Sequence, residues 1–407
     1  MRLLRSGSAR PRAAWVACLV ASAALLAGCS EGGDGASPPT DEAAPATETG
    51  AARAPASSEE PAAEASSGAP VSERDAERRE SERALREERR ALAASLMIVG
   101  VTDYDDALAK LRQGVGGIFI PSWADPAILT EPGRDIAALR AAVPQDFSVS
   151  IDFEGGRVQR HSQVLGDFPS PREMAETMSP QETEEVAFRI GTSLHEHGIT
   201  VDFAPVLDVD SAGLEVIGTR SFAAEPRRAA DYAAAFARGL HAAGVKPVFK
   251  HFPGHGAASG DTHKEPAITP PLEELGRLDL SAYGPALGQS QGAGVMVGHM
   301  AIPGLSTGDM PSSIDPGVYG LLRSGAYPEG TPFGGTIYTD DLSGMKAITD
   351  RMSTPDAVVS AVLAGADRPL WSSGEAVEEA IDKVVDAVEE GCLPEERLRA
   401  SSGLPEQ

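Results

Sequence analysis

From residue 96 onward the chain alternates short apolar runs with longer mixed stretches, and most of the runs end in a polar residue. Eight such runs cover 96–101, 116–120, 147–152, 200–206, 247–251, 292–299, 336–340 and 368–372. They are rich in Val, Ile, Leu and Phe and lack the every-other-residue polarity of a half-exposed strand. Such runs predict strands buried on both faces, as in a parallel sheet covered by helices. The eighth is the weakest, because Pro369 interrupts it. Stretches such as 229–243 and 357–365 predict intervening helices. Eight strand–helix units in this length predict an α/β fold, a (β/α)8 TIM-type barrel forming a single catalytic domain over 96–400.

Three segments precede that domain. Residues 1–28 combine Arg2, Arg5, Arg10 and Arg12 with an apolar stretch over 13–26, which predicts a signal peptide. The stretch is short against the roughly 20 residues of a membrane-spanning helix. Leu26-Ala27-Gly28-Cys29 resembles the lipobox of bacterial lipoproteins. That resemblance implies cleavage before Cys29, acylation of its thiol and an extracytoplasmic protein lipid-anchored to the cell membrane. Residues 29–71 contain Gly, Ser, Ala, Pro, Thr and Glu with no aromatic residue, the composition of a flexible linker. Residues 72–95 mix Glu and Arg around Leu85 and Leu92 and predict a charged, mostly solvated leading helix. A formal charge of −25 excludes nucleic acid as a partner. No partner chain is implied, and a monomer is expected.

Polar residues fall at or just beyond the predicted strand ends: Asp152, Asp208, Lys250-His251, His299 and Asp340. In a barrel this is the face that carries active sites. Asp340 is a candidate nucleophile, since a carboxylate attacking an anomeric carbon divides one hard displacement into two easier ones. Its neighbour Asp341 must point the other way in an extended segment and suits the start of the following turn. His263 is a candidate general acid/base, and Asp261, two residues away in a Gly-rich loop, is spaced to hold its ring in the protonated form. Should His263 prove structural, Glu154 and Asp208 are the next candidates for the acid. Asp152, followed by a Gly-Gly turn and Arg160, suits hydrogen bonding to vicinal sugar hydroxyls, or a structural turn with ion pairs. Arg220 is equally open. Lys250 can bind a hydroxyl or pair with Asp340 or Asp152. His251 and His255 are separated by Pro253-Gly254, which precludes a helical zinc motif, and no metal or cofactor is expected.

Together these segments resemble glycoside hydrolase family 3, in its single-domain β-N-acetylhexosaminidase branch. The resemblance rests on 152–160, 203–209, 217–222, 250–263 and 339–342, in family order, with 250–263 the most specific. It implies a barrel, a retaining mechanism, Asp340 as nucleophile and His263 with Asp261 as the acid/base dyad. It also implies that Asp152, Arg160, Arg220, Lys250 and His251 contact a non-reducing N-acetylglucosamine, and that no cofactor takes part. Larger members draw a Glu acid/base from a second domain; this chain ends at Gln407 and carries the His loop instead. Phe153 stands where the family usually has Gln, Thr262 where it has Ser, and Gly298 where it has Ala before His299. The expected activity is an exo-acting β-N-acetylglucosaminidase acting on peptidoglycan fragments or chitin-type oligosaccharides. A β-glucosidase, a phosphate-using phosphorylase and a silent sugar-binding lipoprotein are the alternatives.

Overall fold

The computed structural model describes residues 73–403. The expected signal peptide, the linker and Cys29 lie outside the described residues. The described residues fall into two units, one holding 73–84 and the other 85–403. In the first, residues 73–84 are helical, and Arg78 pairs with Asp75 at 3.6 Å and Glu82 at 2.9 Å.

The second unit is built on eight parallel strands. The first three are β1 (Ile98–Gly100), β2 (Gly117–Phe119) and β3 (Ser148–Ile151). A separate antiparallel hairpin follows, β4 (Phe153–Gly155) with β5 (Val158–Gln159). The sheet then resumes with β6 (Val201–Asp202), β7 (Lys246–Phe252), β8 (Gly294–Val297), β9 (Ile337–Thr339) and β10 (Leu370–Trp371). Its order is β10-β1-β2-β3-β6-β7-β8-β9, with Ile98 opposite both Leu370 and Gly117. A parallel bridge from Tyr338 to Arg368, together with Thr339 Oγ1 accepting from the Leu370 amide at 2.9 Å, joins the two ends. The predicted barrel is therefore present, with each strand on its expected run. Strand β7 extends one residue beyond its run at either end. Elsewhere the hydrogen-bonded ladders are shorter than the runs, most of all at 200–206 and 368–372.

Burial on both faces explains the continuous apolar runs. One cluster, which includes Ile98, Phe119, Phe203, Val248, Met296 and Tyr338, fills the barrel interior. The Phe203 ring meets Tyr338 edge-on at 5.4 Å and Phe119 at 5.9 Å. Strand β3 contributes Ser148 and Ser150 to this interior, and the Ser150 hydroxyl donates to the Ile118 carbonyl at 3.0 Å. The other strand faces pack against the helices, several of which start at side-chain caps. Helix Pro180–Glu196 opens with a Ser179/Glu182 capping box, and helix Thr354–Ala364 with Ser353.

The leading helix, Glu73–Ala94, is charged and mostly exposed as expected; Ala93 and Ala94 at its end are buried, and Arg86, Arg89 and Arg90 pair with Asp386, Glu395 and Asp382 of the C-terminal helices. The Gly-Gly turn at 155–156 joins the two strands of the β4–β5 hairpin. The weak polarity pattern of the eighth barrel strand also has a reason. The Asp367 carboxylate accepts from the Ile337 amide at 2.8 Å and lies 3.1 Å from Arg397, while the Arg368 guanidinium donates to the Ser401 carbonyl at 2.7 Å. Its polar start ties β9 to the C-terminal helix.

The seam between β1 and β10 leaves no room for a side chain at Gly100, where a Cβ would stand 1.9 Å from the Ser372 carbonyl oxygen. Gly100→Ala is expected to destabilise the fold by about 1–3 kcal/mol in urea unfolding. Gly320 lies inside helix Pro316–Ser324, and a Cβ there would meet nothing within 4 Å. It gives the opposite sign: Gly320→Ala is expected to stabilise by about 0.5–1 kcal/mol. Equal effects at the two positions would contradict the steric account of the seam.

Candidate active site

The C-terminal ends of β3 and β7 and the hairpin meet around one buried ammonium. Lys250, on β7 and 2% exposed, places its Nζ 2.7 Å from Asp152 Oδ1 and 2.6 Å from Glu154 Oε1. Glu154 in turn accepts from Arg220 Nε at 2.8 Å and from a second guanidinium nitrogen at 2.7 Å. Arg160 reaches the other Asp152 oxygen at 3.9 Å. Burial opposes the charge on Glu154, but Arg220 and Lys250 outweigh it and hold the carboxyl well below its usual range. The same balance raises Lys250 and Arg220: burial works against each cation and the adjacent carboxylates overcome it. Of the two roles open to Lys250, pairing with Asp152 is realised, and Glu154 is a second partner.

A second frame lies beneath His251. Asp208, fully buried after β6, sits with Oδ2 2.6 Å from His251 Nδ1. Its Oδ1 accepts from the amides of His251 at 3.1 Å and His255 at 2.8 Å. Behind it Asp279, at the start of helix Leu280–Gly288, accepts from the amides of Val209 and Gly256, both at 2.9 Å. Burial and the nearby Asp208 charge push Asp279 up to about 7. Two carboxyl groups thus staple the segments after β6 and β7 to one another. Sequence reading missed Asp279, which no local pattern marks.

Asp340 follows β9 and is 9% exposed. Its Oδ1 accepts from the Asp341 amide at 2.9 Å, and its Oδ2 lies 3.9 Å from His251 Nε2. Burial raises its proton affinity, but the nearby His251 and His299 outweigh burial and bring the carboxyl down to about 2. It is therefore ionised at any physiological pH. Asp341 turns away as expected, and accepts from the Ser343 amide and the Ser372 amide, both at 2.9 Å. His299 Nε2 donates to the Asp341 carbonyl at 3.0 Å and its Nδ1 lies 2.7 Å from Ser313 Oγ, so both ring nitrogens are occupied.

The dyad is carried by a loop whose base is closed by the Ser259 amide on the Ile268 carbonyl at 2.8 Å. Asp261 Oδ1 lies 2.8 Å from His263 Nδ1, and Asp261 Oδ2 lies 3.1 Å from Lys264 Nζ. Burial raises Asp261, while the His263 and Lys264 hydrogen bonds more than reverse it, so the carboxyl is held below its usual value. The His263 side chain is 52% exposed. Thr262 between them is buried, and its carbonyl accepts from the Ala347 amide at 3.3 Å, beside the segment that follows Asp340.

The eight residues given a catalytic or sugar-binding role from sequence, Asp152, Arg160, Arg220, Lys250, His251, Asp261, His263 and Asp340, line one cavity of about 590 Å³; the strand-end residues Asp208 and His299 lie behind it. The fallback acids do not fit that role. Glu154 is locked between two cations, and Asp208 is held as an anion by His251 against the opposing effect of burial. Among the described residues no group of three or more His, Cys, Asp or Glu is placed to hold a metal ion.

Comparison with known proteins agrees with the geometry. Residues 93–403 match the family described as glycosyl hydrolase family 3 N terminal domain. A protein of Mycobacterium tuberculosis named beta-hexosaminidase LpqI is 44% identical over 304 residues, 74% of this chain and 77% of that one. Among solved structures, a GH3 glycosyl hydrolase of Mycobacterium smegmatis superposes with a TM-score of 0.74 at 47% identity, covering 77% of this chain and 94% of the other. A GH3 beta-N-acetylglucosaminidase from Paenibacillus superposes with a TM-score of 0.70 at 32% identity, covering 77% and 60%. The chain belongs to glycoside hydrolase family 3 and is a glycoside hydrolase.

Proposed function

We propose that the protein is a retaining exo-β-N-acetylglucosaminidase that removes terminal β-linked N-acetylglucosamine from peptidoglycan fragments or chitin-type oligosaccharides. The observation that carries this reading is the placement of an ionised, buried carboxylate and an Asp-supported histidine on one cavity with a charged hydroxyl-binding cradle. The names of the relatives, beta-hexosaminidase and beta-N-acetylglucosaminidase, point to the same substrate class.

In this mechanism Asp152, Arg160, Arg220, Lys250 and His251 hold the hydroxyls and N-acetyl sugar in place. The Asp208 contact fixes the His251 ring with Nε2 toward the cavity side occupied by Asp340. Asp340 Oδ2 attacks the anomeric carbon while His263 Nε2 gives its proton to the departing oxygen. Asp261, on Nδ1, orients the ring and stabilises the imidazolium before that transfer. The roles then reverse: neutral His263 takes a proton from water, water attacks the glycosyl ester, and Asp340 leaves. Two inversions return the original β configuration.

The anchoring is part of the same proposal. A chain cleaved before Cys29 and acylated there, with 30–71 as tether, places the barrel outside the cell at the membrane surface. Wild-type protein is then expected to partition into detergent, and Cys29→Ser to be released or left uncleaved. Recovery of soluble wild-type protein with residues 1–28 intact would overturn the anchor.

Asp340→Ala is expected to abolish turnover. Asp341→Ala is expected to retain a measurable rate at reduced stability, because Ser343 and Ser372 lose their acceptor. Trapping with a 2-fluoro or 5-fluoro glycosyl donor and peptide mass mapping decides between them; a label on Asp341, or on neither residue, contradicts the assignment.

His263→Ala is expected to lose about 10²–10⁴-fold on a natural disaccharide, where the poor leaving group needs the proton, and far less on 4-nitrophenyl β-N-acetylglucosaminide. Asp261→Asn should act in the same direction but more weakly. Equal losses on both substrates would make His263 structural. Running the aryl substrate with and without phosphate, and identifying the sugar product, separates hydrolysis from phosphorolysis.

A further inference from the structure

The geometry points to Arg157 as a positioning residue for the acid/base loop, acting through the rim segment 214–217. One Arg157 guanidinium nitrogen donates to three successive carbonyls, those of Glu215 at 2.7 Å, Val216 at 2.8 Å and Ile217 at 3.0 Å. Three convergent carbonyls match a delocalised cation, and hydrogen bonds to a charged donor are the strong ones. The Val216 carbonyl is shared, since it also accepts from Arg220 at 3.2 Å. Arg220 is the far end of the charged chain that runs through Glu154 and Lys250 to Asp152.

The other end of the segment meets the dyad loop. Leu214 packs against the small cluster of Ala258, Ala267 and Met300, a set separate from the main core. Ala258 and Ala267 flank the Ser259–Ile268 closure from which Asp261 and His263 project. The segment therefore bridges the sugar cradle and the base of the acid/base loop. Arg157 fixes its backbone, and Leu214 delivers that fix to the loop. Arg157 itself stands on the exposed rim, so its loss removes no core packing. Removing it is expected to let His263 wander while Asp340, on the strand side, stays in place.

This inference rests on the reading of His263 as proton donor, and the test separates the two. Rates are measured for His263→Ala, Arg157→Ala, Leu214→Ala and the Arg157→Ala/Leu214→Ala double variant on a β-linked disaccharide and on 4-nitrophenyl β-N-acetylglucosaminide. If the inference holds, both single variants lose at least about tenfold more on the disaccharide than on the aryl substrate, a part of the general-acid contribution. The double variant should lose little more than the worse single one, within about threefold, because both cut the same bridge. Fluoro-sugar labelling of Asp340 should proceed in all of them, at a rate set by the leaving group. Should His263→Ala show no leaving-group dependence, the donor assignment fails and this inference with it. Should His263→Ala show it while Arg157→Ala and Leu214→Ala lose equally on both substrates, or lose additively, the donor stands and the bridge is overturned. If Arg157→Ala does not fold, Leu214→Ala alone decides by the same leaving-group comparison.

Discussion

A lysine ammonium buried in a barrel mouth is unfavourable unless anions surround it, and Lys250 governs much of what its neighbours must be. Removing an ion from water costs several kcal/mol, and taking away one member of a buried pair typically costs about 3–5 kcal/mol. Here two carboxylates, Asp152 and Glu154, contact Lys250, and Arg220 balances the surplus negative charge by a two-point grip on Glu154. These two cations offset the two anions, and Arg160 approaches the free Asp152 oxygen at 3.9 Å. Each buried charge in the cluster therefore has an opposite partner in contact. This pairing requires the hairpin 153–159 and the turn at 218–220 to be where they are, because each brings one member.

The proposed nucleophile is treated differently. Asp340 has no guanidinium or ammonium in direct contact among the described residues; its ionised form is favoured by imidazoles and one backbone amide. A tight salt bridge would hold both oxygens. Instead one oxygen is fixed by the Asp341 amide, and the other faces His251 at 3.9 Å, beyond hydrogen-bond distance. The carboxylate is charged yet keeps one oxygen to attack with. The Asp208–His251 contact is what makes this possible, since it determines which ring nitrogen turns toward Asp340.

The barrel was legible because strands buried on both faces must be continuously apolar, and because the residues that break the pattern gather at their C-terminal ends. Asp340 and Asp341 were separable for a similar reason, since neighbours in an extended segment cannot face the same side. Other features had no such local rule. Glu154 reads as one acid in a glycine-rich turn, and only the fold brings Lys250 and Arg220 to it. Asp279 lies 70 residues from Val209, whose amide it holds, and nothing in its own neighbourhood distinguishes it from an ordinary helix-start aspartate. The eighth strand looked doubtful because its first residues serve contacts outside the barrel, through Asp367 and Arg368.

The histidines around the cavity differ in burial and in partners, which bears on the proposal that His263 is the proton donor. His255 and His299 sit close to Asp340 in the structured mouth, and burial lowers the proton affinity of both despite nearby carboxylates. Burial thus disfavours the protonated ring at both, and His299 has both nitrogens engaged. His251 is committed to Asp208. His263 is the one that combines contact with solvent and a carboxylate on Nδ1 with a ring nitrogen open to the cavity. The loop that carries it is restrained by the Thr262 carbonyl, the Ser259–Ile268 closure and the packing of Leu214 beneath it. The proposed acid and the proposed nucleophile are thus held by different physical means, the first on a solvent-exposed loop and the second at a buried strand end.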